Sequence, residues 1–190
     1  DLKVVDQELQ VVHESMIRTQ SEHANTELVQ ELTENTVTGG VSMINRALAQ
    51  LWTGKEEHEL LMHDWYLGLL AAAFGNLVYI DKPGELYRQH SNNVLGARTL
   101  RKRVKNWVRP HVLFAKYWKL IKDSQTQARN LLVLPLTAEN RELIENFVTI
   151  MEVPFKERWR RIRQYGYRKN RTFHTLVFTS LILTKFAYKE

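Results

Sequence analysis

The sequence predicts an α/β fold that continues into a mostly α-helical C-terminal extension. Short β-branched and apolar runs separated by turn residues prevail in residues 1–97, whereas long helical patterns interrupted by prolines prevail in residues 98–190. The charge changes at the same point. Residues 1–97 contain 6 Lys/Arg against 14 Asp/Glu, a net −8, and residues 98–190 contain 21 against 7, a net +14. We therefore expect a boundary near residues 97/98.

Five segments of the first half have the composition of short strands. The run at residues 77–80 is wholly apolar, which is typical of a buried strand. Residues 36–43 are rich in β-branched side chains around Gly39-Gly40, which predicts a strand interrupted where another backbone comes close. The predicted strands are residues 2–5, 9–13, 36–43, 77–80 and 85–89.

Two helices are predicted in the same half. Residues 61–74 carry large apolar side chains at helical spacing, and Gly75 follows where a helix-ending glycine is common. Residues 45–52 are a shorter candidate helix. Residues 14–34 are polar throughout and predict a loop or a short surface helix.

The second half predicts helices with a strongly basic surface. Thr137 is placed as an N-cap, Phe155–Tyr165 is dense in arginine and aromatic residues, and residues 173–187 form a final amphipathic segment. Aromatic residues among cations are suited to stacking on nucleobases or to a lipid headgroup boundary, and a bundle with solvated charges has the same pattern. The three tryptophans concerned are Trp107, Trp118 and Trp159.

Composition excludes several classes of protein. Without cysteine the chain has neither disulfides nor thiolate metal sites, as is common in a reducing compartment. His58 and His63 are five residues apart, not the four of a helical zinc pair. No uninterrupted run of about 18 apolar residues predicts a membrane-spanning helix. The chain opens in strand-like sequence without a secretory signal, so we expect a segment of a longer protein.

Two segments hold residues suited to chemistry. Asp64 lies at a predicted helix start, where the helix dipole and free backbone N–H groups favour a carboxylate and can fix it as a general base. Arg88 and His90 are two residues apart on an extended segment and point to the same side. They are placed to grip a diphosphate, directly or, for His90, through a metal.

Each of these residues also has a plainer interpretation when it is taken alone. An Asp in this position is more often an N-cap, so Asp64 has a structural alternative. Arg88 is equally suited to be a solvated surface charge, and His90 to be structural. Gly39-Gly40 is more often a simple turn or a bulge than a ligand contact.

Four short blocks follow one another in the first half with regular spacing. They are Thr-Gly-Gly-Val-Ser-Met-Ile-Asn-Arg at residues 38–46, Met-His-Asp-Trp-Tyr at 62–66, Tyr-Ile-Asp-Lys-Pro at 79–83 and Leu-Tyr-Arg-Gln-His-Ser-Asn-Asn-Val at 86–94. Together they resemble the second half of bacterial family-2 glycosyltransferases, in particular rhamnosyltransferase-like members that build cell-surface polysaccharides. The resemblance covers about residues 1–97 and implies the C-terminal half of a GT-A fold.

The resemblance implies roles on the acceptor side of a sugar-transfer reaction. Asp64 would be the catalytic base that deprotonates the acceptor hydroxyl in a direct displacement with inversion at the anomeric carbon. His63 and Trp65 would shape the acceptor side. The residues that would line the sugar pocket are Thr38, Gly39 and Gly40, although many relatives have Cys or another residue in place of Gly40.

The resemblance also implies a donor side that this chain holds only in part. Arg88 and His90 would lie near the donor diphosphate and its divalent metal, Mg²⁺ or Mn²⁺, with His90 as the candidate metal ligand. The family's metal-binding Asp-x-Asp motif does not occur in this sequence. It would lie in a missing N-terminal nucleotide-binding half, so we expect this chain alone to be inactive.

The function implied for the intact enzyme is transfer of a sugar, with rhamnose expected, from a nucleotide-sugar donor to a polysaccharide or lipid-linked acceptor. The basic residues 98–190 favour a cytoplasmic enzyme held peripherally on the anionic inner face of the cell membrane. The alternative is a non-enzymatic helical domain that binds nucleic acid or a partner protein, with nucleic acid the less expected ligand.

Overall fold

A small mixed β-sheet organises the N-terminal part of the chain. The structure is a computed structural model and describes residues 1–53, 60–89 and 110–188. In the sheet, the order of the strands is β2-β1-β3, where β1 is Leu2–Val5, β2 is Val11–His13 and β3 is Glu85–Arg88. β2 runs antiparallel to β1 after a tight turn, and β3 runs parallel to β1. Three of the five predicted strands are therefore confirmed, with β2 shorter than expected.

Four helices and one 3-10 turn accompany the sheet within the described part of residues 1–97. Both predicted helices are confirmed to within two residues, and Gly75 follows the longer one with its N–H bonded to the Ala71 carbonyl at 3.0 Å. The elements are α1 (Met16–Gln20), α2 (Leu28–Thr33), the 3-10 turn (Gly39–Val41), α3 (Arg46–Thr53) and α4 (His63–Phe74).

The described part of the second half is helical, as expected. Thr137 is the predicted N-cap, since its hydroxyl accepts from the Asn140 backbone N–H at 3.2 Å. Gly166 ends the third of these helices at φ 71°, a left-handed conformation that favours glycine. The elements are α5 (Pro110–Arg129), α6 (Ala138–Val148), a 3-10 turn (Ile150–Glu152), α7 (Phe155–Tyr165) and α8 (Thr172–Thr184).

One hydrophobic core joins helices from both halves of the chain. It draws on α2 and α4 from the first half and on all four helices of the second, so these elements bury one another's apolar faces. The expected boundary near residues 97/98 lies outside the described residues. The largest fully buried core side chains are Leu32, Leu69, Leu70, Ile121, Leu131, Ile144, Phe147, Ile150, Tyr167, Phe178 and Ile182.

Helix α2 lies at the junction of the two halves, and its free carbonyls are capped by side chains from elsewhere. The Trp65 indole donates to the Glu31 carbonyl at 2.8 Å, Ser124 donates to the Leu32 carbonyl, and the Lys169 ammonium donates to the Thr33 carbonyl. The expectation of a loop or surface helix at residues 14–34 is therefore wrong for α2. The buried Thr33 hydroxyl donates to backbone carbonyls, and one carboxyl oxygen of the buried Glu31 accepts from Thr36, whereas its other oxygen has no hydrogen-bond partner among the described residues.

Two predicted strands are wrong. Residues 77–80 form no strand, and Val78 and Ile80 are 74% and 70% exposed. Both edges of β1 are already occupied by β2 and β3, which leaves no place beside it for this segment. Residues 36–43 form no strand either, because Thr36 turns back to hydrogen-bond the Glu31 carboxyl and the 3-10 turn Gly39–Val41 follows.

The final helix, α8, turns one face into the core. Phe178, Leu181 and Ile182 of α8 are buried in the core and are not available to a membrane, whereas Leu176 is 63% exposed. Trp118 is likewise a core residue, and its indole donates to the Phe186 carbonyl at 2.8 Å. Among the described residues, no helix combines the length and the apolar character needed to cross a bilayer.

Candidate functional site

Asp64 is the second residue of α4, in the first turn of that helix. The N-cap is Met62, so the interpretation of Asp64 as an N-cap is wrong. One carboxylate oxygen, Oδ1, accepts from the Trp65 backbone N–H at 2.7 Å and lies 3.4 Å from the Asn35 amide nitrogen, which donates to it. Asp64 is half-buried. This geometry holds a carboxylate in one orientation while keeping it accessible.

The remainder of α4 anchors Asp64 to the core. Tyr66, Leu69 and Leu70 are buried, and Trp65 is only 4% exposed with its indole bonded to α2. The ring of Trp65 therefore stabilises the helix from inside. This leaves His63, which is exposed at the first position of α4, as the neighbour of Asp64 on the accessible side.

The Gly39-Gly40 turn lies directly against His63. A Cβ atom added to Gly39 would lie 2.6 Å from the imidazole Nε2 of His63, closer than side chains tolerate. A Cβ added to Gly40 would lie 3.5 Å from a carboxylate oxygen of Glu85, an ordinary contact. Thr38 caps the turn through its carbonyl, which accepts from the Ser42 hydroxyl at 2.7 Å. The structure thus brings together Thr38, both glycines, His63 and Asp64.

Three neighbours of this cluster were not singled out from the sequence. They are Asn35, which holds Asp64, Glu85, which faces the glycine turn, and Trp52, whose ring packs edge-on against His63 at a centroid distance of 6.5 Å. Trp52 also lines a shallow apolar depression next to the site. Of these three residues, only Trp52 has a signal in the sequence, as a large aromatic residue near the end of α3. An Asn or a Glu in a polar segment resembles any other surface residue.

Arg88 lies on the sheet. It is the last residue of β3, opposite Val5 of β1, and its side chain is exposed. Side chains alternate along a strand, so Arg88 leaves β3 on the face opposite Glu85, which contacts the glycine turn. His90 lies outside the described residues, so the predicted pairing of Arg88 with His90 stays a prediction.

The described residues contain no group of three or more His, Asp or Glu side chains placed to hold a metal ion. Near Asp64 the described donors are its half-buried carboxylate, the exposed imidazole of His63 and the carboxylate of Glu85 at the glycine turn. A metal at this site would need ligands from elsewhere, and the candidate ligand His90 lies beyond the described part of the chain.

The most strongly perturbed carboxyl of the described chain is Glu31, close behind the site. It is fully buried, and burial raises its pKa to about 8, against hydrogen bonds from the backbone N–H and hydroxyl of Thr36 that favour the charged form. Its carboxyl lies 3.5 Å from the position of a Cβ on Gly68, so α4 packs tightly against it. A group with no exposed surface cannot meet a substrate, and Glu31 is therefore structural.

Comparison of the sequence with protein-family models and with curated proteins, and of the structure with solved structures, found no match.

Proposed function

We propose that this chain forms the acceptor side of an inverting glycosyltransferase, with Asp64 as the general base. One observation carries the proposal. Asp64 stands at the accessible end of a core-anchored helix, oriented by Asn35 and the Trp65 N–H, beside His63 and the Gly39-Gly40 turn. A pre-oriented carboxylate gives an acceptor hydroxyl a proton acceptor, and the missing side chain at Gly39 leaves the space in which the His63 imidazole lies beside it.

The proposed reaction is a single displacement. The acceptor hydroxyl oxygen attacks the anomeric carbon of the donor while its proton passes to the free oxygen of Asp64. The bond between the anomeric carbon and the diphosphate oxygen breaks, and the nucleoside diphosphate leaves with the bonding electrons. His63, exposed next to Asp64, hydrogen-bonds the acceptor. The imidazole can occupy this position because Gly39 has no side chain there.

The donor side is proposed to come from a nucleotide-binding half that precedes Asp1. The sheet supports this, since β1 and β3 form a parallel pair and parallel strands are normally covered on both faces. Here β3 is an edge strand of the described sheet, and Leu86 on it is 55% exposed. Further strands and helices in the intact protein would cover this surface. Arg88 lies on the same face of β3 as Leu86, opposite Glu85 and the glycine turn, and its contact with the donor diphosphate stays a prediction.

A divalent metal, if the intact enzyme uses one, would neutralise charge on the departing diphosphate. Its ligands would come from the nucleotide-binding half together with His90, and no step assigned to Asp64 or His63 depends on it.

The proposed acceptor is a polysaccharide or a lipid-linked saccharide, and the proposed location is the cytoplasmic face of the cell membrane. The support is the net charge of residues 98–190, which is +14. A surface of this sign is attracted to anionic lipid and would hold the enzyme near a lipid-linked acceptor.

The function is tested on the intact protein that includes the preceding half. Incubated with dTDP-rhamnose or UDP-sugars, Mn²⁺ and a saccharide acceptor, it should release nucleoside diphosphate and give a product with inverted anomeric configuration, which nuclear magnetic resonance identifies. Calorimetric titration of residues 1–190 alone with the same donors should show no binding. Micromolar donor binding by this chain alone would contradict the proposal that the donor site lies in the preceding half. A retained anomeric configuration would contradict Asp64 as the base of a single displacement.

A further inference from the structure

Helices α7 and α8 border a surface groove whose lining includes the core residues Ile162 and Tyr167. Trp159 and Arg163 of α7 line one wall, Thr175 and Thr179 of α8 line the other, and Arg168 lies at the loop end between them. Trp159 is 44% exposed although it is the largest apolar side chain of α7. We refer to these residues as the α7–α8 groove.

Exposed apolar side chains also lie on the two helices that border the α7–α8 groove. Phe155 lies one helical turn before Trp159 on α7 and is 55% exposed. On α8, Leu176 follows the groove residue Thr175 and is exposed as well, whereas the exposed Phe173 lies on a different face of that helix. Single exposed apolar residues need no explanation, but three on two adjacent helices are a grouping of the kind that marks an interaction site.

Cations without acidic partners border the same grouping. Two arginines of α7, Arg160 and Arg161, share one acidic partner, the carboxylate of Glu157, at 2.6 and 3.0 Å. By contrast, Lys156, Arg163 and Arg168 are exposed and have no ion pair within the described parts of the chain. The groove itself is lined by no carboxylate. Its charge is therefore complementary to an anionic partner.

We propose that the α7–α8 groove and the apolar residues around it are the surface by which this protein binds an anionic membrane. Phe155, Trp159 and Leu176 enter the headgroup boundary, and Lys156, Arg163 and Arg168 contact lipid phosphates. This proposal identifies the surface responsible for the peripheral attachment proposed above and rests on that attachment, but not on the role of Asp64.

The exposed residues favour lipid over single-stranded nucleic acid. Nucleic-acid surfaces use a row of open aromatic faces on which bases stack. In the α7–α8 groove, the Trp159 ring is already covered by the guanidinium of Arg163, which lies 5.8 Å from the ring centre. Leu176, the most exposed apolar residue of the grouping, has no face for stacking but gains from contact with lipid chains.

Vesicle flotation of residues 1–190 tests the proposal. Vesicles of phosphatidylcholine with about one third phosphatidylglycerol are compared with phosphatidylcholine alone, at low and high salt. The double variant Arg163→Gln/Arg168→Gln is matched by Lys82→Gln/Lys116→Gln (the α5 variant, named for Lys116), which removes the same charge from exposed positions that likewise have no ion pair within the described parts of the chain. A second pair, Trp159→Ala/Leu176→Ser, tests the apolar contribution. Circular dichroism melting confirms that each variant is folded.

We expect salt-sensitive binding to the anionic vesicles alone, a loss of about tenfold or more in the groove double variant, and a smaller loss in the α5 variant. The Trp159→Ala/Leu176→Ser variant should also bind more weakly. Absence of wild-type flotation would overturn both the attachment and the surface. If the wild type floats but the groove and α5 variants lose binding equally, membrane attachment of the protein would stand and the assignment of the α7–α8 groove as the binding surface would be overturned. Binding of single-stranded RNA that is tighter than vesicle binding and is lost in the groove variant would assign the groove to nucleic acid instead.

Discussion

The side-chain amide of Asn35 donates to Oδ1 of Asp64 at 3.4 Å, across 29 residues of sequence. The other end of the same amide is fixed, because the Asn35 oxygen accepts from the Val37 backbone N–H at 2.9 Å. Asn35 thus links the segment after α2 to the first turn of α4, and it restricts the rotation of the carboxylate that we propose as the base. The relationship makes Asn35 a positioning residue.

Replacing Asn35 should lower turnover more than acceptor affinity. In Asn35→Ala the carboxylate of Asp64 keeps its contact with the Trp65 N–H but loses the hydrogen bond from the Asn35 amide. Misplacement of a reacting group costs up to about 10²-fold in rate. We expect kcat to fall by about tenfold with KM for the acceptor nearly unchanged. Steady-state kinetics of the intact enzyme measure both. An unchanged kcat would show that the Trp65 N–H alone positions the base.

Gly39 and Gly40 form a matched pair for testing the turn beside His63. In Gly39→Ala the new methyl would lie 2.6 Å from His63 Nε2 and should displace the imidazole, whereas in Gly40→Ala it would lie at an ordinary 3.5 Å from Glu85. We expect a raised acceptor KM and a shifted His63 imidazole resonance in the first variant, and little change in the second. Equal behaviour of the two variants would contradict the role of His63 at the acceptor side.

Gly68 should be an exception to the usual stabilising effect of alanine in a helix. Propensity alone predicts a gain of about 1 kcal/mol for Gly68→Ala. The structure predicts a loss of about 1–3 kcal/mol, because the methyl would lie 2.8 Å from Val37 Cγ2, closer than side chains tolerate, whereas its 3.5 Å separation from the Glu31 carboxyl is an ordinary contact. Urea unfolding measures the change. Gly75→Ala is the control, since its methyl would meet the Ala71 carbonyl at 3.7 Å, and a gain in stability for Gly68→Ala would disprove this tight packing.

The buried carboxyl of Glu31 should make stability fall as the pH rises from about 5 to 8. Its pKa is raised by burial from 4.5 to about 8, so the stabilisation is complete below pH 4.5 and is lost as the pH passes through 8. The loss is up to about 1.4 kcal/mol per pH unit. Lys169 does not contribute in this window, because burial lowers its pKa from 10.5 to about 8 and it is protonated in both states below that pH.

Urea unfolding at several pH values measures this dependence. Glu31→Gln keeps the acceptor oxygen for Thr36 and should remove most of the slope, while Glu8→Gln, at an exposed position in the β1–β2 turn, should leave it unchanged. A slope that persists in Glu31→Gln would show that another group is responsible.

The sequence was sufficient where one local signal dominates. The spacing of apolar residues predicted α4, and with it the position of Asp64 in a first turn; the Thr137 cap predicted the start of α6. Residues 77–80 were predicted wrongly because an apolar run signals burial only if a neighbouring element covers it, and here Val78 and Ile80 stay exposed. A sequence pattern does not show whether the covering element is present.

Residues made important by long-range contacts could not be predicted. Glu31 belongs to a polar stretch that is typical of a surface, yet it is fully buried, with Thr36 hydrogen-bonded to one of its carboxyl oxygens and α4 packed against it. Asn35 matters through Asp64, which is distant in sequence. Leu176 and Phe178 have the same apolar character in the sequence, but the packing of α8 buries one and exposes the other.

The most direct test of the central claim is the kcat of Asp64→Asn in the intact enzyme, measured together with the donor dissociation constant and a circular dichroism spectrum. Asparagine keeps the shape of the side chain and the oxygen that accepts from the Trp65 N–H, so the fold and donor affinity should be preserved. It cannot take the acceptor proton, and we predict a fall in kcat of about 10²–10⁴-fold. A folded variant that retains more than about a tenth of the wild-type kcat would contradict the assignment of Asp64 as the base.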